Sequence, residues 1–130
     1  MQYALLIYTP EPTEQPPLEA MEAEMAEYTK FTRHIVERNA FKAGEALHPT
    51  ATATTVRVQD GQTLTTDGPY AETKEALGGF YIVEAADLDE AIGYAAMIPG
   101  AKHGCIEVRP IVDFGDQSTQ ATAEAVAAGR

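Results

Sequence analysis

Residues 79–111 read GFYIVEAADLDEAIGYAAMIPGAKHGCIEVRPI and predict a complete β-α-β unit. The first six residues of this stretch are mostly aromatic and β-branched, which is typical of a central strand. Asp87 can cap a helix, and Glu90 three residues later completes a pattern similar to a capping box. Pro99-Gly100 ends that helix, and a strand follows over 105–111. The side chains expected to face the core from the helix are Leu88, Ala91, Ile92 and Ala95.

The N-terminal part of the chain repeats this plan. The run Tyr3–Tyr8 is short, apolar and aromatic, and prolines follow it at once, so it predicts a buried strand. A long amphipathic helix is expected from Leu18 to about Asn39, followed by a short strand over 42–47. The side chains expected to face the core from this helix recur at helical spacing and are Met21, Met25, Tyr28, Phe31 and Ile35.

A β-hairpin is predicted between these two units. Asp60-Gly61 lies between Thr- and Val-rich runs, which is the strongest short-range hairpin signal and predicts a hairpin over 54–66. The order β-α-β, hairpin, β-α-β matches an α+β fold, a ferredoxin-like split βαβ with an inserted β-hairpin. Residues 1–112 are expected to form this one domain. The Ala-rich stretch 113–130 has almost no large apolar side chain and is expected to be a flexible tail.

Composition and charge exclude several classes of function. The chain has 130 residues and a formal charge of −11, which disfavours contact with nucleic acid or anionic lipid. No apolar run approaches the roughly 20 residues that span a bilayer. The start does not resemble a signal peptide, and the single cysteine cannot form an intramolecular disulfide. We therefore expect a cytoplasmic protein that contacts neither membrane nor nucleic acid.

Metal and cofactor chemistry is not expected. His34, His48 and His103 lie in three separate segments without ligand spacing, so neither a metal site nor a cofactor is predicted. No helix N-terminus and no evident cationic neighbour argue for a lowered pKa of the Cys105 thiol. We expect it to be a small buried side chain in a strand and not a nucleophile.

The strands themselves predict a homodimer. In the first strand Leu5 and Leu6 point to opposite faces, and Phe80 and Tyr81 do the same in the central strand, so both faces of the sheet are apolar. A split βαβ unit places both of its helices on one face. The other face needs a cover, and a second copy of the chain is favoured over the alternative, which is the segment 48–75 or the tail folding back.

One motif carries a family resemblance. Residues 67–75, DGPYAETKE, followed by LGGFY over 77–81, closely resemble the DGPF branch of the YCII-related family. The similarity runs from Met1 to about Ile111 and includes the YALLIY, GEAL, ATATTVR and EVRP segments. Tyr70 replaces the Phe of the branch name and keeps a ring in the loop. The His-Asp pair of the wider YCII group does not carry over, because the first helix here has Glu24–Tyr28 at the corresponding place.

The resemblance implies a dimeric α+β barrel of ferredoxin-like protomers with a cleft between the sheet and the loops. It also implies a proposed enzymatic role and a recurring association with extracytoplasmic-function sigma factors. Glu45, in the GEAL segment, is favoured as a cleft residue because of this resemblance. Its alternative interpretation is an exposed loop carboxylate.

The loop over 67–75 concentrates charged side chains that could hold a small polar substrate and exchange protons with it. The candidates are Asp67, Glu72, Lys74 and Glu75. Asp67 is equally well explained as part of a turn, because Asp-Gly-Pro is a sound turn sequence. Lys74 and Glu75 are also explained as a solvated pair.

Glu107 and Arg109 point to one face of the last strand, because they alternate with Ile106 and Val108. A guanidinium grips a carboxylate at two points, so Arg109 is the strongest candidate for binding an anionic group. An Arg-Glu pair that stabilises the sheet edge or a dimer explains the same residues equally well.

These residues predict a dimeric small-molecule-binding protein. The cleft is expected to contain Asp67 and Glu45 as proton-exchanging groups, with Arg109, Lys74, Glu72 and Glu107 binding the ligand. The sequence leaves open whether the protein catalyses a reaction. The alternative is a non-catalytic accessory protein linked to sigma-factor-dependent transcription, and it rests on the family association alone.

Overall fold

The computed structural model describes residues 1–115 and contains the predicted elements in the predicted order. The central strand begins at Glu75, four residues before the expected Gly79. The elements are β1 (Gln2–Pro10), α1 (Leu18–Glu37), β2 (Phe41–Ala46), β3 (Thr54–Gln59), β4 (Gln62–Asp67), β5 (Glu75–Glu84), α2 (Leu88–Met97) and β6 (Cys105–Pro110).

The main sheet has four strands in the order β2-β5-β1-β6, and every neighbouring pair is antiparallel. The strands β3 and β4 form a separate two-stranded hairpin. With α1 joining β1 to β2 and α2 joining β5 to β6, this is the ferredoxin-like arrangement with an inserted hairpin. The predicted α+β fold class is confirmed.

The hydrophobic core lies between the helices and one face of the sheet. Leu5 of β1, Ile35 of α1 and Val83 of β5 are fully buried there, together with Ile98 after α2. Burying a side chain of this size contributes about 1.5–3 kcal/mol. This core holds both helices on the same face, as the split βαβ order requires.

The opposite face of the sheet, which we call the open face, carries apolar side chains that are only half-buried. Its centre is formed by Ala4 and Leu6 of β1 and by Phe80 and Ile82 of β5. Both helices of the described chain pack on the other side. Residues 116–130, which include most of the predicted tail, lie outside the described residues.

The residues predicted to begin or end the helices and to form the hairpin turn have the expected geometry. The Asp87 carboxylate accepts a hydrogen bond from the Glu90 N–H at 2.9 Å, and the Glu90 carboxylate accepts one from the Ala86 N–H at 2.9 Å. Asn39 ends α1 with a φ of 58°. Asp60 and Gly61 both have positive φ, as the two-residue hairpin turn requires.

The predicted core stripes of both helices are partly wrong. In α1, Phe31 and Ile35 are buried, whereas Met21 and Met25 are exposed, because only the second half of the helix packs on the core. In α2 the buried stripe is Ala91, Tyr94 and Ala95, which Ile98 continues just after the helix, and it leaves Leu88 and Ile92 exposed. The predicted stripe with Leu88 and Ile92 and the observed stripe with Tyr94 both have helical spacing. The observed stripe packs on the core because it buries the large Tyr94 ring.

Gly79 is required by close strand packing, which generates a first prediction. A Cβ on Gly79 would lie 2.8 Å from the Glu45 carbonyl oxygen, so β2 would have to move. We expect Gly79→Ala to lower the free energy of unfolding by about 1–3 kcal/mol. The neighbouring Gly78 is the matched control, because a Cβ there meets only the Thr9 hydroxyl at 4.0 Å. Equal stabilities of the two variants in urea denaturation would contradict this account.

Candidate functional site

Four side chains form a row across the open face. The strand register aligns Glu45 of β2 with Phe80 of β5, Phe80 with Leu6 of β1, and Leu6 with Glu107 of β6. Neighbouring strands lie about 4.8 Å apart, so the backbones of Glu45 and Glu107 are separated by about 14 Å. The row is therefore apolar in the middle and carries a carboxylate at each edge of the sheet.

Polar groups concentrate at the β6 edge of this face, where we define the polar strip as Tyr8, Glu75, Cys105, Glu107 and Arg109. Arg109 donates a hydrogen bond through Nη2 to Glu107 Oε2 at 2.7 Å. The Tyr8 hydroxyl donates to the other carboxylate oxygen of Glu107 at 3.4 Å. Glu107 therefore connects the Tyr8 phenol to the Arg109 guanidinium. The prediction that Glu107 and Arg109 share one face of the last strand is confirmed.

The charges of the strip set the protonation of its members. The hydrogen bond from Arg109 lowers the pKa of Glu107, so Glu107 is ionised at neutral pH. Desolvation raises the pKa of Tyr8, the Glu107 carboxylate raises it further, and the Arg109 charge opposes both effects. Tyr70, in the loop before β5, also raises the pKa of Tyr8. The strip thus holds a protonated phenol beside a carboxylate.

Cys105 lies at one end of the strip and differs from the expectation of a buried side chain. It is exposed, because β6 is an edge strand and its Cys105 side faces away from the helices. Its thiol donates to Glu75 Oε1 at 3.7 Å. Desolvation and the Glu75 carboxylate both raise the pKa of the Cys105 thiol. A thiol that keeps its proton is a poor nucleophile.

The loop before β5 has a structured base and an exposed centre. Gly68 has a φ of 99°, its N–H donates to the Ala53 carbonyl at 2.7 Å, and its carbonyl accepts from the Thr55 hydroxyl at 2.9 Å. Asp67 and Glu72 are exposed. Gly68 therefore fixes the base of the hairpin, whereas the Asp67 side chain forms no hydrogen bond among the described residues.

Lys74 lies near the polar strip. It lines an open cavity at the end of the sheet together with Pro10, Thr73 and Glu75. Glu75 contacts Cys105 through its carboxylate, so this cavity adjoins the strip. Of the six predicted site residues, the structure joins Glu107 to Arg109 and brings Lys74 to the adjoining cavity. It places Glu45 at the far edge of the sheet.

Two members of the strip were not predicted as site residues. Tyr8 was assigned only to a strand, and Cys105 to the core. Alternation in the YALLIY run places Tyr8 on the same face as Leu6, which is a signal for its orientation. The sequence does not show that β1 and β6 are neighbours in a register that puts Tyr8 opposite Cys105.

The described residues were also compared with the requirements of a metal site and of a membrane-spanning helix, and they meet neither. Within residues 1–115, no cluster of three or more His, Cys, Asp or Glu side chains is arranged to hold a metal ion. No helix in the same range is both long enough and apolar enough to span a membrane.

Comparisons with known proteins identify relatives of this chain. The family model described as the YCII-related domain matches residues 1–115. An uncharacterized protein of Rhizobium meliloti (strain 1021) is 40% identical over 114 residues, which cover 85% of this chain and 92% of that protein. A solved structure of 5-chloro-2-hydroxyhydroquinone dehydrochlorinase from Burkholderia phenoliruptrix AC1100, in complex with 2,5-dihydroxybenzoquinone, is 15% identical. Its TM-score is 0.48, with 86% of this chain and 94% of that chain covered.

The polar strip generates a second prediction, which concerns the titration of Tyr8. We expect Glu107→Gln to lower the pKa of Tyr8, because it removes a negative charge and replaces a charged hydrogen-bond acceptor with a neutral one. We expect Arg109→Gln to raise it, because the positive charge of Arg109 favours the phenolate. The tyrosine ring carbon shifts in NMR measure both values, with Tyr8→Phe to assign the signal. Shifts of the same sign in the two variants would contradict the geometry.

Proposed function

The chain belongs to the YCII-related family. We propose that it binds a small anionic molecule at the polar strip. Within the family we assign it to the DGPF branch, because of its DGPYAETKE motif. The observation that carries the proposal is the position of Arg109. Its side chain is 66% exposed although it is paired with Glu107. An exposed guanidinium beside an apolar sheet face is suited to a ligand with an anionic group and an apolar body.

The apolar half of the ligand site is the centre of the open face. Leu6 lies in the same row as Glu107, and Phe80 lies one strand further on. A carboxylate or phosphate at Arg109 would therefore extend its carbon skeleton over these two side chains. Lys74, in the cavity that adjoins the strip, supplies a second positive charge.

Acid–base chemistry is the reaction type that suits this set of groups. At neutral pH Tyr8 carries a proton and Glu107 carries none, so the pair presents one proton donor and one acceptor. Both pKa shifts lead away from neutral pH, so a bound ligand must reverse them before the pair exchanges protons efficiently. Asp67 and Glu45 were the expected proton-exchanging groups. Within one chain the backbone of Glu45 lies about 14 Å from that of Glu107, across the width of the sheet. Glu45 therefore reaches the same ligand only if that ligand spans the sheet. Tyr8 and Glu107 are the nearer candidates.

A homodimer in the cytoplasm is the assembly that we propose for this function. The half-buried centre of the open face is apolar, and a second copy facing it would enclose Leu6 and Phe80, together with a ligand lying over them, between the two sheets. Such a cover would also exclude water from the side of the polar strip that adjoins Leu6. Water exclusion strengthens the interaction between Arg109 and an anion. The sigma-factor-linked alternative rests on the family association and on no contact in the structure.

The dimer generates a third prediction. Sedimentation should give a dimer or a multiple of it at micromolar concentration, and Leu6→Glu should lower that mass by placing a charge on the covered face. Leu88→Glu is the matched control, because Leu88 is 48% exposed at the start of α2, on the helix side of the sheet. A wild-type monomer, or equal effects of the two substitutions, would contradict the proposed interface.

The ligand site generates a fourth prediction. In a thermal-shift screen of aromatic and aliphatic carboxylates, a bound compound should raise the melting temperature, since saturation at 100 times Kd adds about 2.7 kcal/mol. Arg109→Gln should remove this shift, whereas the exposed Lys102→Gln should retain it. Asp67→Asn and Glu45→Gln test the two originally predicted groups.

The neutral amides of the same skeletons provide the ligand control. They should give no shift, because Arg109 selects for the negative charge. Shifts of equal size for acids and amides, or an unchanged response in Arg109→Gln, would exclude the polar strip as the anion site. Circular dichroism of the variant separates loss of binding from loss of folding.

A further inference from the structure

The first half of α1 has no tertiary partner among the described residues. All residues from Leu18 to Glu27 are exposed, and Leu18 and Met25 are each 69% exposed. The N-cap residue, Pro17, offers no side-chain hydrogen bond to the first turn. A helical segment of this length is marginal in water without packing. A covering surface would therefore stabilise it.

The exposed side chains form a continuous surface. We define the α1 stripe as Leu18, Met21, Glu22, Met25, Ala26 and Lys30, which line one shallow groove along the helix. Members of the stripe recur at separations of three and four residues, so they lie on a single flank. This flank is adjacent to the side that buries Phe31 and Ile35. Three large apolar side chains on one exposed flank are typical of an interface.

The charges along α1 are segregated by sign. The first half holds Glu19, Glu22, Glu24 and Glu27 and no basic residue, whereas the second half holds Lys30 and Arg33, with Glu37 as its last residue. In the part of the chain that the structure describes, neither Lys30 nor Arg33 forms an ion pair. Glu22 and Lys30 are eight residues apart, which is about 12 Å along the axis, so they cannot pair within one helix.

We propose that the α1 stripe binds the α1 stripe of a second copy, with the two helices antiparallel. Reversing one helix brings its acidic half against the basic half of the other. Around a twofold axis near Ala26, Glu22 of each copy lies opposite Lys30 of the other, and Glu19 lies opposite Arg33. Each pair occurs twice, so the surface is complementary to itself.

The side chains near the axis suit this crossing. Ala26 is small enough to let two helix backbones approach to about 8–10 Å. Met21 and Met25 flank it, and their flexible thioether chains fill irregular gaps between helices. A net charge of −11 repels two copies in general, so contact requires local complementarity of this kind.

This interface is separate from the open face of the sheet. The stripe lies on a helix that packs on the opposite side of the sheet from Leu6 and Phe80. The two contacts do not compete, and together they would join two sheet-paired dimers into a tetramer. The inference does not rest on the proposed function.

A charge-exchange experiment tests the proposal. Glu22→Lys and Lys30→Glu each place like charges opposite one another in a homotypic pair, so each variant alone should sediment at half the wild-type mass. An equimolar mixture of the two variants should recover the wild-type mass, because the lysine introduced at position 22 then faces the glutamate introduced at position 30 of the other copy. Glu27→Lys and Lys42→Glu, which change the same charges outside the stripe, should retain the wild-type mass.

Symmetric cross-linking gives an independent readout. In a Cys105→Ser background, Ala26→Cys should form a disulfide-linked dimer on mild oxidation, because two copies of residue 26 meet at the axis. Ala23→Cys, also exposed, should remain monomeric on non-reducing gels, because its two copies would lie about 9 Å apart along the helix axes, too far for a disulfide. Unchanged mass of both single charge variants, failure of the mixture to recover, or equal cross-linking at positions 23 and 26 would overturn the proposal. Unchanged mass of both single charge variants would indicate a different protein as the occupant of the stripe.

Discussion

The structure depends on one constraint, which is that both β-α-β crossovers place their helices on the same face of a four-stranded sheet. Right-handed crossover connections require this arrangement when β1 and β5 occupy the centre of the sheet. The core therefore forms on one side only, around Leu5, Ile35 and Val83. The other side is left with an apolar centre and with charged residues on its edge strands. The open face and the polar strip both follow from this asymmetry.

The fold could be predicted from the sequence because each of its signals is local. Short apolar and β-branched runs identified the strands, the Asp60-Gly61 turn identified the hairpin, and Asp87 with Glu90 identified the start of α2. The core-facing residues of the helices were predicted less well. Helical spacing is satisfied by two overlapping stripes in α2, and only the packed structure shows that Tyr94 is inside and Leu88 outside. In α1 the spacing continues beyond the part that the sheet covers.

The site was only partly predictable for a related reason. Alternation along β6 is a local property, so the common face of Glu107 and Arg109 could be derived from the sequence. The contact of Tyr8 with Glu107 depends on the register between β1 and β6, whose residues are about a hundred positions apart. Glu45 illustrates the opposite case, because its resemblance-based assignment to the cleft did not specify which sheet edge β2 occupies.

The pairing of Arg109 with Glu107 couples anion binding to protonation. In the free protein Arg109 donates to Glu107, and this contact keeps the pKa of Glu107 low. An anionic ligand that binds the Arg109 guanidinium in place of Glu107 removes the hydrogen bond that lowers the pKa of Glu107. The ligand also adds a negative charge close to this carboxylate. Both changes raise the pKa of Glu107, so ligand binding favours proton uptake by this carboxylate. The proton would reside next to the Tyr8 hydroxyl and beside the bound ligand. Under the proposed function, ligand binding thus shifts Glu107 from an ion-pair partner toward its protonated form.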